Sequence, residues 1–232
     1  MIGLASLPGL GIFLGTALAE KINASDKLVS IALHWTAGMM LGVVGVEIMP
    51  KILKTQPAWP MIFIVLAGGF LAIAVDKLID KFSGGGGKWT ILFAVATDMF
   101  ADGITIGASA NISSNFATLV VFGLFIGDFP EGLVNTTTFK NQDTKRKFRL
   151  LVALGVSVIC LAGASSSYLI TKGGSDLLKN GFIAFTAGMY LRAAVEDMIE
   201  KSHSKTGKNF WNQAFFILGF VAYMAGSIVL KK

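Results

Sequence analysis

The chain has 232 residues, 53% of them hydrophobic and only 15% charged, a balance that excludes an ordinary water-soluble domain. Its net charge of +6 does not point to nucleic acid, because the lysines and arginines sit between apolar runs. With one cysteine, Cys160, there is neither a disulfide framework nor a thiolate metal cluster.

Apolar runs of about 20 residues recur from end to end, each long enough to cross a hydrocarbon core of ~30 Å. They predict eight helical spans, over about 2–20, 28–50, 57–76, 89–111, 116–139, 149–171, 177–200 and 210–230. The expected fold is all-α and polytopic, a single transmembrane domain filling residues 1–232. The first run lacks a basic leader and a cleavage site, so it reads as a helix rather than a signal peptide. Trp59, Trp89 and Trp211 each begin a span and fit interfacial anchors. SGGGG at 83–87 reads as a flexible hinge, and NQDTKRKFR at 141–149 as a solvated turn.

Basic residues set the expected orientation. If both termini lie outside, the inner loops hold thirteen of them: Lys21, Lys27, Lys77, Lys81, Lys88, Lys140, Lys145, Arg146, Lys147, Arg149, Lys201, Lys205 and Lys208. Six remain outside (Lys51, Lys54, Lys172, Lys179, Lys231 and Lys232). The positive-inside rule then places both termini outside, in a protein of the plasma membrane. Its expected partners are the lipid bilayer and a metal ion, with no nucleic acid; a homodimer is compatible with the sequence.

An internal repeat fits this layout. TAGMMLGVVGVEIMPK (36–51) aligns without gaps to TAGMYLRAAVEDMIEK (186–201), each copy carrying an acid just before its end. The copies fall in the second and seventh spans, which cross in opposite directions. Inverted three-helix repeats around a central helix pair are a recurring transporter design with its site near the midplane. Small-residue patterns that merely help helices pack are the plainer account.

The central pair carries the chemistry. TDMFADGITIG places Asp98 and Asp102 four residues apart, and FIGDFPEGLVN places Asp128 and Glu131 three apart. At helical spacing each pair shares a face. Acids inside apolar spans are costly unless their charge is offset, so the pairs read as a cation site. MFADGI (99–104) also aligns with DFPEGL (128–133), and Pro130 removes a backbone donor beside Glu131. That frees a carbonyl for an ion where backbone lines a cavity.

At these residues the sequence resembles the ZIP (ZRT/IRT-like) family of divalent metal transporters. The family's fourth helix carries H-N-x-P/x-D/E-G and its fifth H/Q-D/E-x-P-E-G. The corresponding stretches here are Asp98-Met99-Phe100-Ala101-Asp102-Gly103 and Gly127-Asp128-Phe129-Pro130-Glu131-Gly132. VEIMP in the second span and AVEDMIEKSH in the seventh are also similar. The resemblance implies eight spans, inverted repeats, and metal transport by alternating access. It also implies a metal site of Asp98, Asp102, Asp128 and Glu131. The departures are Asp98 for histidine, Met99 for asparagine, Gly127 for glutamine or histidine, and no acid across 150–170. Ligands for one metal remain, while those for a second are depleted.

Without imidazole, preference is expected to move from Zn²⁺ toward Mn²⁺ or Fe²⁺. The ion is substrate, and no prosthetic group is expected. Crowded carboxylates bind protons as well as cations, so uptake should be pH-sensitive. Glu47, Glu196 and Asp197 read equally as pathway residues or as boundary charges, and His34 and His203 as solvated interface residues. Arg192 lies within a span. It pairs either with Glu196, one turn along, or with the central carboxylates as a substitute for a second metal. Two rival readings remain. One is an intramembrane aspartyl protease built on Asp98 and Asp128, which lacks the glycine expected where Phe125 stands. The other is a ZIP-like sensor or other-cation carrier that no longer moves metal.

Overall fold

The computed structural model describes residues 2–83 and 87–231, which form helices with short connections and no strand among them. Eight rods follow in order among the described residues. They are α1 (Ile2–Lys21), α2 (Asp26–Leu53), α3 (Trp59–Ser83), α4 (Lys88–Ala110), α5 (Ser114–Lys140) and α6 (Arg146–Thr171), then α7 (176–206) and α8 (Phe210–Leu230). All but α7 are long and apolar enough to cross a membrane, so the chain is an integral membrane protein. In α7, Lys179, Asn180 and Arg192 dilute the apolar run. Outward-facing Phe63, Phe70, Leu169 and Val229 are each more than half exposed, as a lipid-facing surface requires.

Two rods outrun their expected limits. α3 continues to Ser83 and α7 to Thr206, because Asp76, Lys77, Asp80 and Lys81 in one and Lys201–Thr206 in the other are helical but polar. Of the expected hinge, residues 84–86 lie outside the described residues. Its first residue, Ser83, closes α3 by donating to the Ile79 carbonyl at 2.6 Å and bonding Thr90 at 2.5 Å.

The repeat reaches further than its letters. Ser25 caps α2 through the Leu28 amide, and Ser175 caps α7 through the Leu178 amide; an aspartate follows each cap. Each helix then widens into π-turns at the same register, Val43–Ile48 in α2 and Ala193–Glu200 in α7. Such turns hold an extra residue and recur at functional sites. The two rods run antiparallel. Asp26 at the start of α2 meets Lys205 at the end of α7 (3.0 Å), and Thr55 just beyond α2 accepts from Asn180 near the start of α7 (2.8 Å).

Closest packing joins α1 to α5, α4 to α6, α2 to α8 and α3 to α7. The aligned glycines explain two of these contacts. A Cβ at Gly38 would strike the Phe216 carbonyl of α8, and one at Gly188 would strike the Val65 carbonyl of α3. Backbone lies on backbone there, as small residues permit in membranes.

Candidate functional site

The acid pairs sit mid-way along α4 and α5, which two further glycines draw into the bundle. Gly103 rests on the Cys160 carbonyl of α6, and Gly132 on the Ile12 carbonyl of α1, where any Cβ would collide. α5 runs through Pro130 without a break. Beside it, the Gly127 carbonyl accepts from Thr36 of α2 (3.0 Å). The repeat-equivalent threonine, Thr186 of α7, lies 2.8 Å from Thr105 of α4. Each repeat helix is thus tied by the same residue to one of the central pair.

A cavity of about 270 Å³ lies between α2, α4, α5 and α7. Asp98 and Glu131 line it with Asn135 and Thr138, and it extends to Asp197 and Lys201. Asn135 Nδ2 donates to Glu131 Oε1 at 3.2 Å, holding that carboxylate toward the polar track. Asp102 and Asp128, each 4% exposed, do not line this space. The Tyr190 hydroxyl donates to Asp102 Oδ1 (2.8 Å) and also lies 2.9 Å from the Thr105 hydroxyl. Asp128 packs against α1, where a Cβ at Gly11 would stand 3.3 Å from its own Cβ. Its Oδ2 is buried with no hydrogen-bond partner among the described residues. No three His, Cys, Asp or Glu side chains gather into a metal-holding group among the described residues. The acids are therefore divided, two in the cavity and two buried apart from it. Met99 is 1% exposed and belongs to the core.

Arg192 takes neither expected partner. Its Nη1 bonds Asp197 Oδ2 and lies 2.5 Å from Asp76 Oδ2 of α3. The π-turn supplies the reason. Its extra residue puts Asp197 where the fourth residue of an α-helix would stand, and Glu196 is exposed instead. Lys201 Nζ holds the other Asp197 oxygen at 3.1 Å. Glu47 is 6% exposed, not a boundary charge in water. Its Oε1 accepts from Ser227 of α8 (2.5 Å) and lies 2.6 Å from Lys231 Nζ.

His34 also departs from expectation. His34 is only 3% exposed, and its ring centroid lies 5.3 Å from that of His203. His34 Nδ1 lies 2.8 Å from the Ser202 hydroxyl, in a knot with Ser30 and Asn212 that ties α2, α7 and α8. Polar residues scattered along three segments of sequence meet there, which a solvated-interface reading misses.

No protein-family model matches the sequence, and no curated protein matches it either.

Two residues of the site escaped sequence reasoning. Tyr190 stands where the other repeat copy has Met40, and its polar tip lies four residues from Thr186, a signal that was available. Asp76 gave no such signal, since it ends an apolar run as boundary charges do.

Proposed function

We propose that this protein is a carrier that moves a divalent metal cation across a membrane by alternating access. The observation that carries this reading is the cavity. Two carboxylates from two different membrane-length helices, Asp98 and Glu131, line one polar hollow that leads to Asp197 and Lys201. Ionisable groups at such depth are functional by default. Asp128 adds a buried carboxylate oxygen with no partner among the described residues, a donor still free for a ligand. The resemblance to ZIP transporters supports the same reading, as do the shared caps and π-turns, which fit inverted three-helix repeats in an eight-span bundle. The all-oxygen donor set favours Mn²⁺ or Fe²⁺ over Zn²⁺. Asp102 and Asp128 join the ion only when the helices shift, Asp102 by leaving Tyr190.

A two-aspartate protease fits poorly, because Asp98 lines the cavity and Asp128 does not. A sensor that binds metal without moving it is favoured by one observation, the absence of a gathered three-ligand group among the described residues. Uptake into proteoliposomes with a competing panel of Mn²⁺, Fe²⁺, Zn²⁺ and Mg²⁺ separates the readings. The carrier takes up metal, and Asp98→Asn or Glu131→Gln abolishes uptake in folded protein. Metal binding without uptake by the unmutated chain would favour the sensor, and uptake unimpaired in the double variant would sink the site.

A further inference from the structure

Asp197 stands where the carboxylate chamber ends. It lines the cavity of Asp98 and Glu131, and together with Lys201 it also lines a second cavity of about 310 Å³. That second space is bounded by Asp76 and Asp80 of α3 and by Glu200 and Ser204 of α7. The Asp197 and Lys201 side chains therefore form part of a wall between two hollow spaces.

A chain of ion pairs holds the wall in place. Lys201 takes one Asp197 oxygen, Arg192 takes the other, and the same Arg192 nitrogen reaches Asp76 on the outer helix. Arg192 and Asp197 are 18% and 17% exposed, so water screens them less than it screens a surface pair. One guanidinium is thus shared by acids from two helices. Without it, Asp76 and Asp197 would face each other as like charges and repel.

The other end of the molecule carries a counterpart. Glu47 occupies in α2 the repeat position that Asp197 occupies in α7, and both lie within the π-turns. Lys231 and Ser227 fasten Glu47 to α8, which packs on α2 as α3 packs on α7. Because α2 and α7 run antiparallel, the two acids lie toward opposite ends. A charged tie from the π-turn to the outer helix therefore occurs at both ends.

We propose that Arg192 is a gating residue: it fastens Asp197 to α3 and so keeps shut the partition between the carboxylate chamber and the second cavity. At the far end Lys231 ties Glu47 to α8, away from both cavities. The gate's part in cation passage rests on the carrier reading, whereas the partition does not.

Thiol labelling without metal tests the partition. Thr138 lines the chamber but not the second cavity. In a Cys160→Ser background, Thr138→Cys is exposed to a membrane-impermeant maleimide in opened vesicles. Arg192→Gln should speed labelling severalfold, and Arg192→Lys should restore the slow rate. Asp76→Asn cuts the same tie from α3, so it should speed labelling too, and the double variant should go no faster than either single one. Labelling of Arg192→Gln and Asp76→Asn at the parent rate would overturn the proposal. So would an equal rise in Lys231→Gln, which would report general loosening. Uptake by the parent protein reads the carrier function separately, so either idea can fail while the other stands.

Discussion

On the carrier reading proposed above, Asp98 is the residue that sets ion preference, a carboxylate where the ZIP family that the sequence resembles has histidine. Asp98 lines the cavity, so an imidazole there would meet the same space. Asp98→His should raise affinity for Zn²⁺ relative to Mn²⁺ in competition calorimetry, because nitrogen ligands suit the softer ion. An unchanged ratio would show that Asp98 does not touch the cargo. A second prediction concerns Glu20 and Arg149, a two-pronged pair between α1 and α6 at 2.5 and 2.9 Å, with side chains 7% and 10% exposed. Arg149→Ala would leave Glu20 only the longer contact to Arg146 at 3.8 Å and should cost about 1–3 kcal/mol. Thermal unfolding in detergent should show the loss, and Glu20→Gln added to Arg149→Ala should recover part of it. Asp98 and Glu131 were legible in the sequence because an acid in an apolar run has few innocent explanations. Arg192 was legible as a problem but not in its solution. Its partner depends on a π-turn, which inserts one residue without any compositional mark, and on Asp76 from a helix far away in sequence.

At the scale of the element, backbone contact decides which helices meet. Gly103 and Gly132 press α4 and α5 onto neighbouring carbonyls, and neither partner is a flexible side chain that can move aside. Gly103→Ala and Gly132→Ala should each cost about 1–3 kcal/mol through overpacking. Gly155→Ala on α6, with nothing within 4 Å of its added Cβ, should leave the unfolding midpoint unchanged or slightly raised. Equal behaviour of the three would refute the packing account. Most helix positions were readable from hydropathy alone, since each rod must bury its backbone polarity within itself in lipid. Helix ends were less readable. The charged tails of α3 and α7 carry no apolar signal, yet both line the second cavity, and Lys201 of α7 lines the carboxylate chamber as well.

At the scale of the molecule, the basic residues predict one orientation. Cysteines introduced at Lys54 and Asn141, in the Cys160→Ser background, should differ in intact cells. An impermeant maleimide should reach Lys54→Cys and spare Asn141→Cys until the membrane is opened. The reverse pattern would invert the topology. The match between 36–51 and 186–201 was legible from six shared letters, but the structure that the two segments share was not. Only the caps, the π-turns and the paired threonines show that the two copies carry matching structure to opposite ends of the bundle.

α3 is the least enclosed of the long apolar helices, with 11% of its most apolar stretch buried, so most of its surface faces away from the bundle. Its uncharged length, residues 59–75, spans about 26 Å. That is slightly short of a hydrocarbon core of ~30 Å, and with the helix centred in such a core Asp76 would stand at the edge of the acyl chains. A thicker bilayer draws this carboxylate away from water and strengthens its hold on Arg192, while a thinner one lets it hydrate and let go. If Arg192 gates as proposed, the thickness of the surrounding membrane becomes a setting of the protein, and the same sequence should open more readily among short-chain lipids than among long-chain ones.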